Sequence, residues 1–215
     1  MMSTPAPREL EILKDDILRE VAARGQLRKF QKNVTIIQEG DVGDSLFIIL
    51  AGKVKVYASD DNGREVIIDI FGPGEYVGEM VLDGGVRSAS VMTMEPSTFA
   101  VISRAELRAH IVEHPDTAIF LITRLIKRAR KATNNIKTLA LMDVYGRVAN
   151  LLLSLAVEEQ GKLVVPEKLT HQEIAERIGS SREMISRIMR DLTAGGYIEV
   201  HGRTIVMTRQ PPAHW

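Results

Sequence analysis

Two periods of hydrophobic alternation divide this chain of 215 residues. From about Arg28 to Ile102, short runs of strand formers are broken by glycines. The runs are Val34 to Ile37, Leu46 to Ala51, Val54 to Tyr57, Val66 to Phe71, Ala89 to Met94 and Thr98 to Ile102. Gly40, Gly43, Gly52, Gly63, Gly72 and Gly74 fall between them, as tight turns require. Lys53 to Tyr57 alternates polar and apolar positions, the mark of a half-buried antiparallel strand. Closely spaced strands of this kind predict a sandwich or barrel, the jelly roll among them.

After Pro115 the period changes. Ile122, Leu125, Ala129, Ala132, Ile136 and Leu139 form a heptad seam, with Lys127, Arg128, Arg130, Lys131, Asn134 and Asn135 on the polar side. So narrow a seam predicts a partner helix, and a second copy of the chain is the simplest supplier. The competing reading is a helix lying along its own barrel. Asp143 reads as the N-cap of a further helix, Val144 to Val157, which puts a domain boundary near Met142–Asp143. Gly161 to Lys168 reads as a loop or short strand, and the Pro211-Pro212 tail as frayed.

Two short helices follow. Thr170-His171-Gln172-Glu173 is a capping box opening a helix that buries Ile174, Ala175 and Ile178. Gly179 ends it, and Ser180-Ser181-Arg182-Glu183 reads as a second capping box. Two helices across a glycine turn make a helix-turn-helix. At about 100° per residue from Arg182, Ser186 falls near 40°, Arg190 near 80°, Glu183 near 100° and Arg187 near 140°. Met189, Leu192, Ile185 and Ile188 fall between about 240° and 340°, on the opposite face. Arginine forks onto guanine O6 and N7, and glutamate accepts from the cytosine N4 amine. The competing reading is a solvated face laced by an Arg182–Ser186–Arg190 ladder and a Glu183–Arg187 pair. Tyr197 to Val200 and Thr204 to Met207 flank His201-Gly202-Arg203 as a tight hairpin, and two helices with a hairpin make a winged helix.

Charge adds nothing to the case for DNA: 28 basic residues balance 28 acidic ones. From Asp143 to Trp215 the counts are nine and nine. The case rests on where the arginines stand. The chain has no cysteine, which removes thiolate metal sites, cysteine nucleophiles and iron–sulfur clusters. No apolar run approaches the roughly 18 residues of a membrane span, and Met1 to Glu9 lacks the apolar core of a signal peptide. A cytoplasmic protein without membrane contact is expected. His110 and His114 stand at i,i+4 without a third ligand nearby, and are read as an exposed pair at a helix end. No metal is therefore expected. Histidine is absent from Phe30 to Ile102, which disfavours a metal-bearing cupin enzyme on the jelly roll.

Gly78-Glu79-Met80-Val81-Leu82 and Gly84-Gly85-Val86-Arg87-Ser88-Ala89 carry ligand chemistry. Glycines let backbone approach an anion, and the start of a short helix offers free amides. Arg87 supplies a cation for a phosphate and Ser88 a hydroxyl. A carboxylate beside a phosphate needs a separate task, and accepting from a ribose 2′-hydroxyl is one that Glu79 can perform. The competing reading is a Glu79–Arg87 salt bridge that stiffens a loop.

From about Phe30 to Met207 the sequence resembles the catabolite activator, or Crp/Fnr, family. The resemblance is carried by Thr170-His171-Gln172-Glu173-Ile174, Ile178-Gly179-Ser180-Ser181-Arg182-Glu183, Arg187-Ile188 and His201-Gly202-Arg203-Thr204-Ile205-Val206. Leu139 to Ala149 looks like that family's hinge, and Gly78 to Ala89 like its phosphate-binding cassette. The resemblance implies an α+β chain of three parts. These are a ligand-sensing β-roll of the cyclic-nucleotide-binding type (1–114), a long dimerisation helix (115–142) and a winged helix-turn-helix (143–215). It implies a ligand site of Gly78, Glu79, Met80, Arg87, Ser88 and Thr133. On DNA, Arg182, Glu183 and Arg187 would read base pairs, while Thr170, Gln172, Ser181 and His201 would hold phosphates. The implied ligand is a cyclic nucleotide, cAMP first, with cGMP or cyclic di-GMP as alternatives. The implied partners are a second copy, RNA polymerase and double-stranded DNA with a palindrome related to TGTGA-N6-TCACA. A non-catalytic regulator is expected. A ligand-independent DNA binder with a vestigial pocket and a cupin-like enzyme are the rivals. Two departures stand out. Glu79 and Arg87 are eight positions apart, two fewer than in the family's enteric prototype, and Ala132-Thr133 replaces a threonine–serine pair.

Overall fold

The structure, a computed structural model, describes residues 4–159, 161–202 and 204–209. Arg203 of the predicted hairpin and Pro211-Pro212 of the tail lie outside the described residues. The chain divides into two compact units, Met1–Lys127 and Arg128–Trp215.

The first unit opens with two helices that no strand pattern announces, α1 (Pro7–Leu10) and α2 (Asp16–Ala23). Asp15 caps α2 by accepting from the Leu18 amide. Eight strands follow: β1 (Gln26–Phe30), β2 (Thr35–Ile37), β3 (Ser45–Ala51), β4 (Val54–Ser59), β5 (Glu65–Phe71), β6 (Tyr76–Val77), β7 (Ser90–Thr93) and β8 (Ser97–Ser103). They form two antiparallel sheets, ordered β1-β8-β3-β6 and β2-β7-β4-β5. One core joins the sheets. Phe47, Ile49 and Phe99 from the first pack with Ile37, Val54 and Val91 from the second. Phe30 and Phe47 both meet Phe99 edge-on, at 5.7 and 6.1 Å between ring centroids.

The uninterrupted apolar run in β3 has a simple cause: both of its faces are covered. Phe47 and Ile49 enter the core between the sheets, while Leu46, Ile48 and Leu50 face Leu18, Val21, Leu107 and Leu121 on the helical side. That helical layer includes α3 (Arg104–Glu113), opened by a reciprocal Ser103–Glu106 capping box.

Here the structure corrects one expectation. His110 is not exposed; only 1 % of its surface meets solvent. Leu107, His110 and Ile111 share the i, i+3, i+4 stripe that faces the core, so helical phase buries the imidazole. Among the described residues neither of its ring nitrogens has a hydrogen-bond partner. Its ring lies 4.7 Å from that of His114, and Glu20 of α2 and Arg24 at that helix's C-cap act on it electrostatically. Burial first, then the Arg24 and His114 charges, hold its pKa below the usual imidazole value, against Glu20 and Glu113. A depressed folded-state pKa means that the unfolded chain takes up the proton first. The contribution is therefore complete above about pH 6.5 and is lost as pH falls below that toward the lowered value. Between about pH 7.5 and 5.5, the wild-type melting midpoint should drop a few degrees further than that of His110→Leu. Parallel pH profiles of the two proteins would refute this.

Helix α4 (Asp116–Leu141) runs unbroken for 26 residues across the division between the units. Leu121 and Phe120 pack into the helical layer of the β-roll. Beyond them the apolar positions are open: Ile122, Ile126, Ile136 and Leu139 are all about half exposed or more. The reading of a helix lying along its own barrel thus holds for its first turns.

The second unit contains α5 (Val144–Leu155), β9 (Val157–Glu159), β10 (Lys162–Val165), α6 (His171–Ile178), α7 (Arg182–Ala194), β11 (Ile198–His201) and β12 (Thr204–Met207). Asp143 caps α5 through the Gly146 amide at 2.7 Å, the N-cap that the sequence predicts. The strands form one antiparallel sheet ordered β11-β12-β10-β9. The predicted hairpin is therefore the edge of a larger sheet, and the stretch read as a loop or short strand supplies β10. Val148, Leu152, Val165, Ile174, Ile185, Leu192 and Ile205 fill its core. Arg177, its side chain only 8 % exposed, forks onto Glu167 at 2.9 and 2.7 Å and ties α6 to the loop before it.

Candidate ligand site and nucleic-acid interface

In the β-roll, β6 delivers the chain to Gly78, whose φ of 87° suits glycine alone at low cost. A 3-10 turn then carries Glu79 to Leu82. A Cβ on Gly78 would stand 2.8 Å from Arg87 Nη1 and 3.0 Å from the Ser45 carbonyl, so the close approach also excludes a side chain. Arg87 is the pivot of this region. It is 6 % exposed, and its guanidinium donates to the Gly78 and Ser45 carbonyls at 2.7 Å each. Its own backbone is pinned to the 40–41 loop, through Arg87 N to Asp41 O and Gly40 N to Arg87 O. Burial pulls its pKa down, opposed by the Asp44 and Glu79 carboxylates.

Gly78, Glu79, Met80, Arg87 and Ser88 therefore gather in one short stretch, the Gly78 carbonyl meeting Arg87 directly. Ser88 is exposed, and Glu79 and Met80 are half-buried. Arg87 donates to two carbonyls while the Glu79 carboxylate acts on it electrostatically, and a fork of five donors keeps others for an anion. The residues fit a phosphate, since a buried guanidinium behind a glycine cradle supplies charge without side-chain obstruction. Thr133 lies on α4, exposed, its hydroxyl donating to Ala129 O at 3.0 Å. Among the described residues no group of three or more His, Cys, Asp or Glu could hold a metal ion.

In the second unit the Thr170–Glu173 capping box is present in both directions. Gly179 takes φ 65° and lets the Gly179 and Ser180 amides both reach the Ala175 carbonyl, which ends α6 sharply. The second capping box is corrected. Ser181, not Ser180, is the N-cap of α7, accepting from Met184 N at 3.2 Å. Glu183 is thereby freed from capping. It stands exposed in the first turn beside Arg182, with Arg187 one turn on. Among the described residues neither Arg182 nor Arg187 nor Glu183 has a side-chain hydrogen bond or ion pair, so the Glu183–Arg187 pair does not form. Ile185, Ile188, Met189 and Leu192 are buried on the far face.

The four residues assigned to phosphates are exposed, and all four have partners already. Thr170 bonds Glu173, Gln172 donates to Glu176 Oε1 at 2.8 Å, and His201 Nε2 lies 3.2 Å from Glu199. Ser181 is engaged as the cap. Sequence reasoning missed the link between the two helices: His171 Nδ1 lies 2.9 Å from Ser186 Oγ, which itself donates to Arg182 O.

Residues 27–114 match the family of cyclic nucleotide-binding domains, and residues 146–212 match the Crp-like helix-turn-helix domain. A cAMP-activated global transcriptional regulator of Mycobacterium tuberculosis is 35 % identical over 184 residues, covering 83 % of this chain and 82 % of that one. The chain belongs to the Crp/Fnr family. A further Crp relative, the cAMP-activated regulator of Haemophilus influenzae, is 33 % identical over 90 % of this chain and 89 % of its own. Among solved Crp-type structures, the c-di-GMP-responsive regulator CLP of Xanthomonas campestris superposes with a TM-score of 0.77 at 28 % identity. That match covers 89 % of this chain and 98 % of CLP. Like these relatives, the chain is a ligand-responsive, DNA-binding transcriptional regulator built as a β-roll, a long helix and a winged helix-turn-helix. Among the described residues no helix is long and apolar enough to cross a membrane.

Proposed function

We propose that the chain works as a cytoplasmic, non-catalytic homodimer whose DNA binding is gated by a cyclic nucleotide, with cAMP the first candidate. Its parts would be a sensing domain (1–114), a dimerisation helix (115–142) and a DNA-reading domain (143–215). Arg87 and Ser88 hold the phosphate, with Gly78 and Met80 framing it. Glu79 takes the ribose hydroxyl, and Thr133 reaches the base. Ligand binding favours the hinge arrangement near Asp143 in which both α7 helices reach successive major grooves, and RNA polymerase is the downstream partner. The relatives described as cAMP-activated support the nucleotide. Cyclic di-GMP is the second reading, favoured by the likeness to CLP together with the shortened Glu79-to-Arg87 segment.

One observation carries the DNA assignment: α7 presents Arg182, Glu183 and Arg187 exposed and, among the described residues, without side-chain partners, opposite a fully buried apolar face. Two arginines ask for guanines and the glutamate for a cytosine, which a palindrome related to TGTGA-N6-TCACA supplies. Docking one α7 per half-site, a helical turn apart, follows the general geometry of this motif, for which this family is itself a reference case. Glu183→Ala should flatten preference at one base pair per half-site by roughly tenfold or more, since a good contact discriminates by about 1–3 kcal/mol. His201→Ala should weaken all sequences about equally. Binding-site selection on the three proteins decides this. A full sequence preference retained by Glu183→Ala would mean that α7 does not read bases in this way.

A further inference from the structure

The winged helix holds a cleft beside the residues assigned to DNA. It has a volume of about 460 Å³ and opens between α6, α7 and the β11–β12 hairpin. Its floor is apolar, built from buried Ile174, Met189 and Ile205, and one wall is Val200, which is 46 % exposed. The mouth differs. His171 and Ser186 stand there joined at 2.9 Å, beside the exposed Arg190, whose guanidinium has no hydrogen bond or ion pair among the described residues. Among the described residues no carboxylate lines the cleft. An apolar cleft of this size with a few polar groups at its rim has the character of a small-molecule site. A free cation over an apolar floor selects an amphipathic anion, because one group pairs the charge while the other covers the hydrocarbon surface.

We infer that this cleft binds a small amphipathic carboxylate, an alkyl or aryl body carrying one negative charge, at Arg190. The occupant would lie between α7 and the wing, so it also hinders DNA; that consequence alone rests on the proposed DNA reading. The test is calorimetric titration of the full-length protein, without DNA, with decanoate, 1-decanol and butyrate. Decanoate should bind once per chain with a Kd on the order of tens of micromolar, decanol more weakly and butyrate not measurably. Arg190→Gln should weaken decanoate roughly tenfold and leave decanol unchanged. Val200→Trp, a substitution at an exposed wing position, should fill the cleft and remove both. Absence of decanoate binding to the wild type overturns the inference. So does decanoate affinity unchanged in Val200→Trp, which would place the binding elsewhere. Loss of DNA affinity in Arg190→Gln without any decanoate binding to the wild type would make the cleft a seat for the DNA backbone, and overturns it equally.

Discussion

Arg87→Leu should bind no cyclic nucleotide at concentrations that saturate the wild type, and it should also melt earlier. The two effects have separate causes. Binding is lost because Arg87 is assigned the cation at the phosphate, and leucine offers neither charge nor donor. Stability falls because the guanidinium bridges the Gly78 and Ser45 carbonyls, 2.7 Å from each, in a site only 6 % exposed. Stranding a buried acceptor costs about 1–3 kcal/mol. Arg87→Lys separates the causes, since lysine keeps the charge but cannot fork onto both carbonyls. Calorimetry at a temperature where all three proteins are folded, paired with thermal melts, reads both quantities. Wild-type nucleotide affinity in Arg87→Leu would remove Arg87 from the phosphate.

The second large effect belongs to the seam of α4. Ala132→Lys with Ile136→Lys should convert a dimer into monomers, weakening association by about a hundredfold or more. Ammonium groups facing each other across a two-fold axis must be desolvated without a partner. In a single chain these positions are open: Ile136 is 65 % exposed and Ala132 is exposed. If the chain worked alone, both changes would be surface substitutions worth within about 0.5 kcal/mol. Light scattering distinguishes the outcomes directly. A stable dimer carrying both lysines would place the interface elsewhere.

How much of this could be read from the sequence depended on whether a feature announces itself locally. Six of the eight strands did, because glycines punctuate most of the runs and β3 carries the continuous apolar stretch of a strand covered on both faces; β1 and the two-residue β6 lie outside those runs. The seam and the faces of α7 are also periodic, and periodicity survives into structure. The N-terminal helices were legible but overlooked: Leu18, Val21 and Ala22 follow i, i+3, i+4 behind the cap Asp15. His110 was misread because a histidine at a helix end looks like surface, although Leu107 three residues earlier sets the buried phase. The Ser45–Arg87 contact could not have been foreseen. It joins residues 42 positions apart, and a backbone carbonyl leaves no trace in the identity of its residue. The Ser180–Ser181 ambiguity is of another kind, since either serine can cap a helix and the Schellman-like turn at Gly179 decides which one does.

Fluorescence anisotropy of a labelled TGTGA-N6-TCACA duplex, titrated with the full-length protein, tests gating most directly. It would be run without ligand and with saturating cAMP, cGMP or cyclic di-GMP, at one fixed salt concentration. One nucleotide, cAMP first, should tighten binding by roughly 5–150-fold, the usual span of allosteric coupling. Arg87→Leu should bind at the ligand-free level throughout. Equal affinity under all four conditions, with or without Arg87, would contradict the account and leave a DNA binder whose β-roll does not control it.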